Sequence, residues 1–279
     1  MLMNRFIKKI LLETNQFCNL NCAYCFYNDI VRSKNYLGLE NIKTICKKYY
    51  FADEFLLTGG ECTLNKEFPW IVDFLSKKGK VTIFTNGVGI NKQSDKETNS
   101  LMSKLYKIVI TYDSLSKSYN LRNSTELCVL ESIKKIARFN PKKLEVKICL
   151  SKFNICDFEN TLKKLIEIGV TNFSVNYVKN IRNSNLDFQL SDDEVIENFK
   201  LIKKYSKYFN MCDNSFMHKS YELKFKNKAS CPAGKKFIYI NCKGDEYYCP
   251  SSIELFDVKL PKERNCFGRH CVCIWELMK

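Results

Sequence analysis

Cys18-Asn19-Leu20-Asn21-Cys22-Ala23-Tyr24-Cys25 lies near the N-terminus, shortly after the apolar run Ile10-Leu11-Leu12. Three cysteines at spacings of four and three residues, with an aromatic just before the last, can turn three thiolates onto one face of a loop. Four-iron clusters normally take four Cys thiolates and structural zinc takes four ligands, so three thiolates leave one metal position open to a substrate or cofactor. The same loop could instead be part of a zinc site completed by a ligand elsewhere in the chain.

Outward from this loop, short apolar runs alternate with longer amphipathic segments from residue 7 to about 208. Strands are predicted at Lys9–Leu12, Glu54–Thr58, Val81–Thr85, Lys107–Thr111, Leu144–Leu150 and Asn172–Val178. Helices are predicted at Leu39–Tyr50, Phe68–Lys78, Ser124–Phe139, Phe158–Ile168 and Asp192–Tyr208, with a further one closing at Leu101–Leu105. The second is read as carrying Trp70, Ile71, Phe74 and Leu75 inward; Ser124 and Ser191 read as N-caps and Gly169 as a stop. Six strands alternating with helices imply a parallel sheet with right-handed crossovers, two strands short of a closed eightfold barrel. In such sheets the loops at the C-terminal strand ends build the active site. The polar punctuation falls there: Gly59-Gly60-Glu61, Thr85-Asn86-Gly87, Thr111-Tyr112-Asp113, and Lys152 with Asn154.

These residues resemble the radical SAM superfamily, whose CxxxCxΦC loop is matched at Cys18, Cys22, Tyr24 and Cys25. The resemblance implies an α/β partial (β/α)6 barrel. It also implies a [4Fe-4S] cluster on the three thiolates, with the unique iron chelated by the amino and carboxylate groups of S-adenosylmethionine (SAM). Gly59, Gly60 and Glu61 resemble the family's GGE motif, which receives the SAM amino group; two glycines let backbone approach closely and a carboxylate pairs with an ammonium. Thr85 and Asn86 resemble the TNG turn near the SAM carboxylate, Thr111 and Asp113 the pair that approaches the ribose, and Lys152 and Asn154 a similar, less specific pattern. The implied chemistry is reductive cleavage of SAM to a 5′-deoxyadenosyl radical, which takes a hydrogen atom from an unreactive C–H bond.

Residues 209–230 have weaker periodicity and read as a linker between a core at 1–208 and a module at 231–279. Two aromatic runs, Phe237–Ile240 and Tyr247–Tyr248, around a Lys243-Gly244-Asp245 turn predict a β-hairpin. Cys231 and Cys249 bracket it with Gly244 between, a pattern similar to the start of a SPASM or twitch domain; a second, auxiliary [4Fe-4S] cluster is implied. Cys266, Cys271 and Cys273 supply its remaining ligands, with the choice among them open and zinc the alternative. His218 and His270 read as structural or surface residues, Cys46, Cys128 and Cys149 as small hydrophobes, and Cys62 as a bystander beside GGE.

The 279 residues can bury a substantial core, and no apolar run is long enough to span a bilayer. Fifteen cysteines without an export signal are expected to be reduced, in the cytoplasm, and available to iron. A net charge of +15 suits an acidic reductant of the flavodoxin or ferredoxin type, or an acidic peptide. The lysines are dispersed, which argues against nucleic acid and allows a generic solvated surface. Relatives of the twitch class oxidise small alcohols, whereas SPASM and twitch relatives also modify ribosomally made peptides. The 17 residues ahead of Cys18 hold no leader-binding domain, which favours a small molecule or a leaderless peptide; the basic surface and many Tyr and Phe favour an extended acidic peptide. An electron carrier without turnover is the alternative from another class, and the open iron position argues against it.

Overall fold

The computed structural model describes residues 7–25, 27, 34–115, 121–122, 126–178, 185–209 and 233–248. In chain order they form β1 (Lys9–Glu13), α1 (Leu39–Lys48), β2 (Glu54–Thr58), α2 (Phe68–Ser76), β3 (Lys80–Thr85), α3 (Val88–Asn91), α4 (Asp95–Lys104) and β4 (Lys107–Thr111). There follow α5 (Glu126–Phe139), β5 (Leu144–Leu150), α6 (Phe158–Glu167), β6 (Phe173–Tyr177), α7 (Asp192–Lys204), α8 (Ser206–Phe209), β7 (Phe237–Ile240) and β8 (Glu246–Tyr247). Two compact units result: one drawn from residues 1–17, 33–83 and 211–279, the other from 18–32 and 84–210.

In the first unit β1 pairs parallel with β2, from Lys9 opposite Glu54 to Glu13 opposite Thr58, and β2 pairs parallel with β3. β1 is apolar from Ile10 to Leu12 because both its faces are covered, all three residues being fully buried. Each such side chain removed from water contributes roughly 1.5–3 kcal/mol. The predicted hairpin forms, β7 against β8, with Gly244 N–H closing the turn on Asn241 O at 2.9 Å. Its first strand lies parallel to β1, Lys9 opposite Phe237 to Leu12 opposite Ile240, and Cys242 N–H donates to the buried Glu13 carboxylate at 2.9 Å. A segment expected in a separate module thus extends the sheet that leads to the cysteine loop.

Helix α2 corrects one expectation. Its buried stripe is Phe68, Ile71, Val72 and Leu75, and Trp70 is 61% exposed. Residues at i, i+3, i+4 and i+7 share a face, and Trp70 lies roughly 150° around the helix from the centre of that stripe. Lys78 sits over the half-buried Phe74 ring at 5.2 Å.

In the second unit β4, β5 and β6 are parallel, with Thr111 opposite Lys147 and Lys147 opposite Ser174. Alternation sends Ile110, Val146, Ile148 and Val175 to one face and Thr111, Lys147, Cys149 and Ser174 to the other. Helices α4 and α7 each begin at a full capping box, Ser94 with Glu97 and Ser191 with Glu194. Gly169 follows α6 as expected, its N–H bonding Ile166 O at 3.0 Å. The segment expected as one helix from 192 to 208 is two, broken at Tyr205. Ser124 and nearly all of the expected linker lie outside the described residues.

Candidate cofactor site

The cysteine loop belongs to the second unit, and Cys18, Cys22 and Cys25 are all half-buried. Cys18 Sγ accepts from Leu20 N at 3.4 Å and faces Asn86 Nδ2 at 3.7 Å. The same Asn86 amide donates to Asn19 Oδ1 at 2.7 Å, and its Oδ1 accepts from Val88 N at 2.9 Å. Asn86 therefore joins the loop to the start of α3. Cys25 N bonds Cys22 O at 3.0 Å, and Ala23 N bonds Leu121 O at 2.9 Å.

The aromatic of the motif is anchored at both ends. Tyr24 O–H donates to Asp113, whose other oxygen accepts from Cys149 N at 3.2 Å, and the Tyr24 ring meets Phe188 edge-on at 6.4 Å. Burial first, then the Asp113 charge, pushes the Tyr24 phenol well above its ordinary value, so it stays a donor. Arg122 is 5% exposed and donates to the carbonyls of Thr111 and Asn86. Burial pulls its guanidinium pKa down; Tyr24 and Asp113 more than reverse this, so it is held protonated. Its positive charge also lies near Cys22 and favours the thiolate there. Sequence reasoning missed Arg122, because an arginine in a polar loop carries no periodic signal; only its burial marks it out.

Among the described residues no three His, Cys, Asp or Glu side chains converge on a point that one metal ion could occupy. A four-iron cluster does not require this, since its protein thiolates bind different irons. Three half-buried thiols on one short loop, with an amide donor facing Cys18 and a buried cation at Cys22, fit such a cluster in donor chemistry and charge. Burial pushes the Cys22 thiol up to about 11, with Arg122 pulling it back; bound iron would deprotonate it.

Gly59-Gly60-Glu61 lies in the first unit. Gly60 N bonds Asn15 O at 2.9 Å, Glu61 N bonds Phe17 O at 2.6 Å, and Asn15 Nδ2 bonds Glu61 O at 3.1 Å. A Cβ on Gly59 would stand 2.3 Å from Asn15 O, and one on Gly60 2.2 Å from Phe17 O. The close approach that needs these glycines is thus to the protein's own backbone just before Cys18. Glu61 is buried; its Oε1 accepts from Thr63 N at 3.2 Å, which caps the short turn Cys62–Leu64, and also from Thr63 Oγ1 at 2.7 Å. Cys62 is fully buried.

Asn154 is fully buried with its carboxamide engaged throughout: Nδ2 donates to Asp113 O at 3.0 Å and Cys149 O at 2.9 Å, and Oδ1 accepts from Ser151 N at 2.8 Å. It ties the ends of β4 and β5 together. Thr85 Oγ1 accepts from Gly87 N at 3.1 Å, and Lys152 pairs with Asp187 on the surface. Cys46 and Cys149 are buried, whereas Cys128 is half-buried and accepts from Asn91 Nδ2 at 3.4 Å. Cys231, Cys249, Cys266, Cys271 and Cys273, with His218 and His270, lie outside the described residues.

The radical SAM superfamily model matches residues 12–165, more than half of the chain, and the chain belongs to that superfamily. It is 27% identical over 181 residues to a probable GTP 3′,8-cyclase of Sulfurisphaera tokodaii, covering 60% of this chain and 54% of that protein. To the antilisterial bacteriocin subtilosin biosynthesis protein AlbA of Bacillus subtilis it is 24% identical over 247 residues, covering 85% of this chain and 53% of AlbA. The chain thus spans about half the length of these curated relatives. Streptococcus suis SuiB bound to S-adenosylmethionine superposes with a TM-score of 0.71 at 16% identity, over 97% of this chain and 66% of SuiB. The fold is accordingly the α/β radical SAM partial barrel with a parallel sheet. Membership implies a [4Fe-4S] cluster and SAM. Among the described residues no helix is long and apolar enough to cross a membrane.

Proposed function

We propose that this protein is a radical SAM enzyme that modifies a peptide, with Cys18, Cys22 and Cys25 holding the cluster and Gly59, Gly60 and Glu61 receiving the SAM amino group. Asn86 and Thr85 serve the SAM carboxylate end, while Thr111 and Asp113 serve the ribose. The observation that carries the reading is the cysteine loop, whose first thiol faces Asn86 and whose second meets the buried Arg122. Bound together, cluster and SAM would supply reductive one-electron chemistry, the electron coming from the external reductant. The chain's own part is to orient and to exclude water: Asn86 and Arg122 fix the thiols, and the Tyr24–Asp113–Asn154 chain fixes the strand ends beside them. A peptide substrate is supported by the similarity to AlbA along 85% of this chain. The similarity to the GTP 3′,8-cyclase supports a second reading, a nucleotide or another small molecule.

An auxiliary cluster on Cys231, Cys249 and two of Cys266, Cys271 and Cys273 belongs to the same proposal, as does an acidic reductant of the flavodoxin or ferredoxin type acting on a cytoplasmic enzyme. The test is anaerobic reconstitution with iron and sulfide, reduction with dithionite, addition of SAM, and measurement of 5′-deoxyadenosine with iron per chain. About eight irons with 5′-deoxyadenosine is expected, about four would remove the auxiliary cluster, and no SAM cleavage would overturn the enzyme.

A further inference from the structure

The polar face of the β4–β5–β6 sheet carries a row that the cofactor chemistry leaves unused. Register sets Thr111, Lys147 and Ser174 side by side across three strands, with Asn176 one step further along β6. Thr111 is the residue assigned above to the SAM ribose, so the rest of the row continues away from that position.

Two independent observations point to a ligand here. Lys147 is half-buried with its ammonium 4.6 Å from the centroid of the Phe84 ring, and among the described residues no carboxylate lies within ion-pair distance of it. Its same-face neighbour Glu145 is paired instead with Lys107 at 2.8 Å. Ser174 is 5% exposed, and its hydroxyl is buried with no hydrogen-bond partner. Leaving a buried donor unused costs about 1–3 kcal/mol, which a native fold rarely accepts without a reason.

We propose that Lys147 and Ser174 form a subsite for a carboxylate of the substrate, an acidic side chain of the peptide. This rests on the reading of the chain as a peptide-modifying radical SAM enzyme. The ammonium supplies the opposite charge and the Ser174 hydroxyl a donor to the second oxygen, and bonds to a charged acceptor are about twice as strong as neutral ones. The Phe84 ring holds the ammonium in place before binding, which reduces the ordering cost. One ammonium and one hydroxyl match a single negative charge with two oxygens. A phosphate would bring a second negative charge that this single ammonium leaves unmatched.

The test uses the full-length, iron-reconstituted protein under anaerobic conditions. Binding of capped Gly-Glu-Gly, capped Gly-Gln-Gly, inorganic pyrophosphate and SAM is measured by calorimetry, with 5′-deoxyadenosine formation by the wild type in parallel. Gly-Glu-Gly is expected to bind about tenfold or more tightly than Gly-Gln-Gly, the size of one hydrogen bond to a charged group. Lys147→Met should abolish that preference, and Lys147→Arg should retain it. Ser174→Ala should reduce it while leaving or raising the melting temperature, because it deletes a hydroxyl that no protein group uses. Should Lys147→Met fail to fold, the arginine and alanine variants carry the test. Equal binding of the two tripeptides, a preference that survives Lys147→Met, or tighter binding of pyrophosphate would each overturn the subsite. So would loss of SAM affinity in Lys147→Met with the peptide preference intact, since the lysine would then serve the SAM carboxylate. A wild type that forms 5′-deoxyadenosine without any tripeptide preference sinks the subsite alone. One that shows the preference but cleaves no SAM sinks the radical reading.

Discussion

Arg122 links several separate parts of the site. Its guanidinium spans the carbonyls of Thr111 and Asn86, meets Cys22, and lies in the field of Asp113 and Tyr24. Removing one partner from a buried charge network leaves the other uncompensated, at about 3–5 kcal/mol. Arg122→Met is therefore expected to lower unfolding stability by about 3 kcal/mol and to reduce retained iron per chain, read by denaturant titration and iron assay. Gly60→Ala makes a different point. Its Cβ would be 2.2 Å from Phe17 O and 2.6 Å from Gln16 O, so backbone must move in the segment entering the cysteine loop. A loss of about 3 kcal/mol in thermal unfolding is expected; a loss under about 0.5 kcal/mol would show that the two segments do not pack as described.

At the scale of elements, α7 starts at the cap expected from the sequence, Ser191, and α4 at Ser94, because Ser and Glu three residues apart satisfy two orphan N–H groups at once. Ser191→Ala should cost about 1 kcal/mol at neutral pH by chemical denaturation. Ser94 and Ser191 hold the Glu97 and Glu194 carboxyls below their ordinary value through hydrogen bonds to the charged form. A depressed carboxylate contributes stability above its unfolded pKa and loses it as pH falls through the folded one. Glu194→Gln should therefore matter at neutral pH and cease to matter in acid; an effect that grows on acidification would contradict the capping geometry. Strand limits were legible to within a residue, since apolar runs bounded by polar turns leave little choice. Trp70 was not, because an aromatic beside a buried stripe looks inward until the phase of the helix is known.

For the whole molecule, the net charge of +15 predicts electrostatic steering toward an acidic protein reductant. Reduction by a flavodoxin, followed by stopped-flow absorbance, should slow about tenfold from low to physiological salt, and a salt-independent rate would mean the charge is only a solvated surface. The sequence by itself determined the superfamily, the order of strands and helices and the three-thiolate loop, because each is written in short spacings: cysteines within eight residues, alternating apolar runs, a glycine pair after a strand. Tertiary structure alone decided that β7 lies parallel to β1, that Arg122 reaches Cys22 across a hundred residues, and that Thr111, Lys147 and Ser174 share one row. Those are long-range pairings, fixed by strand register and by which charges the fold must bury together, and no local pattern encodes them.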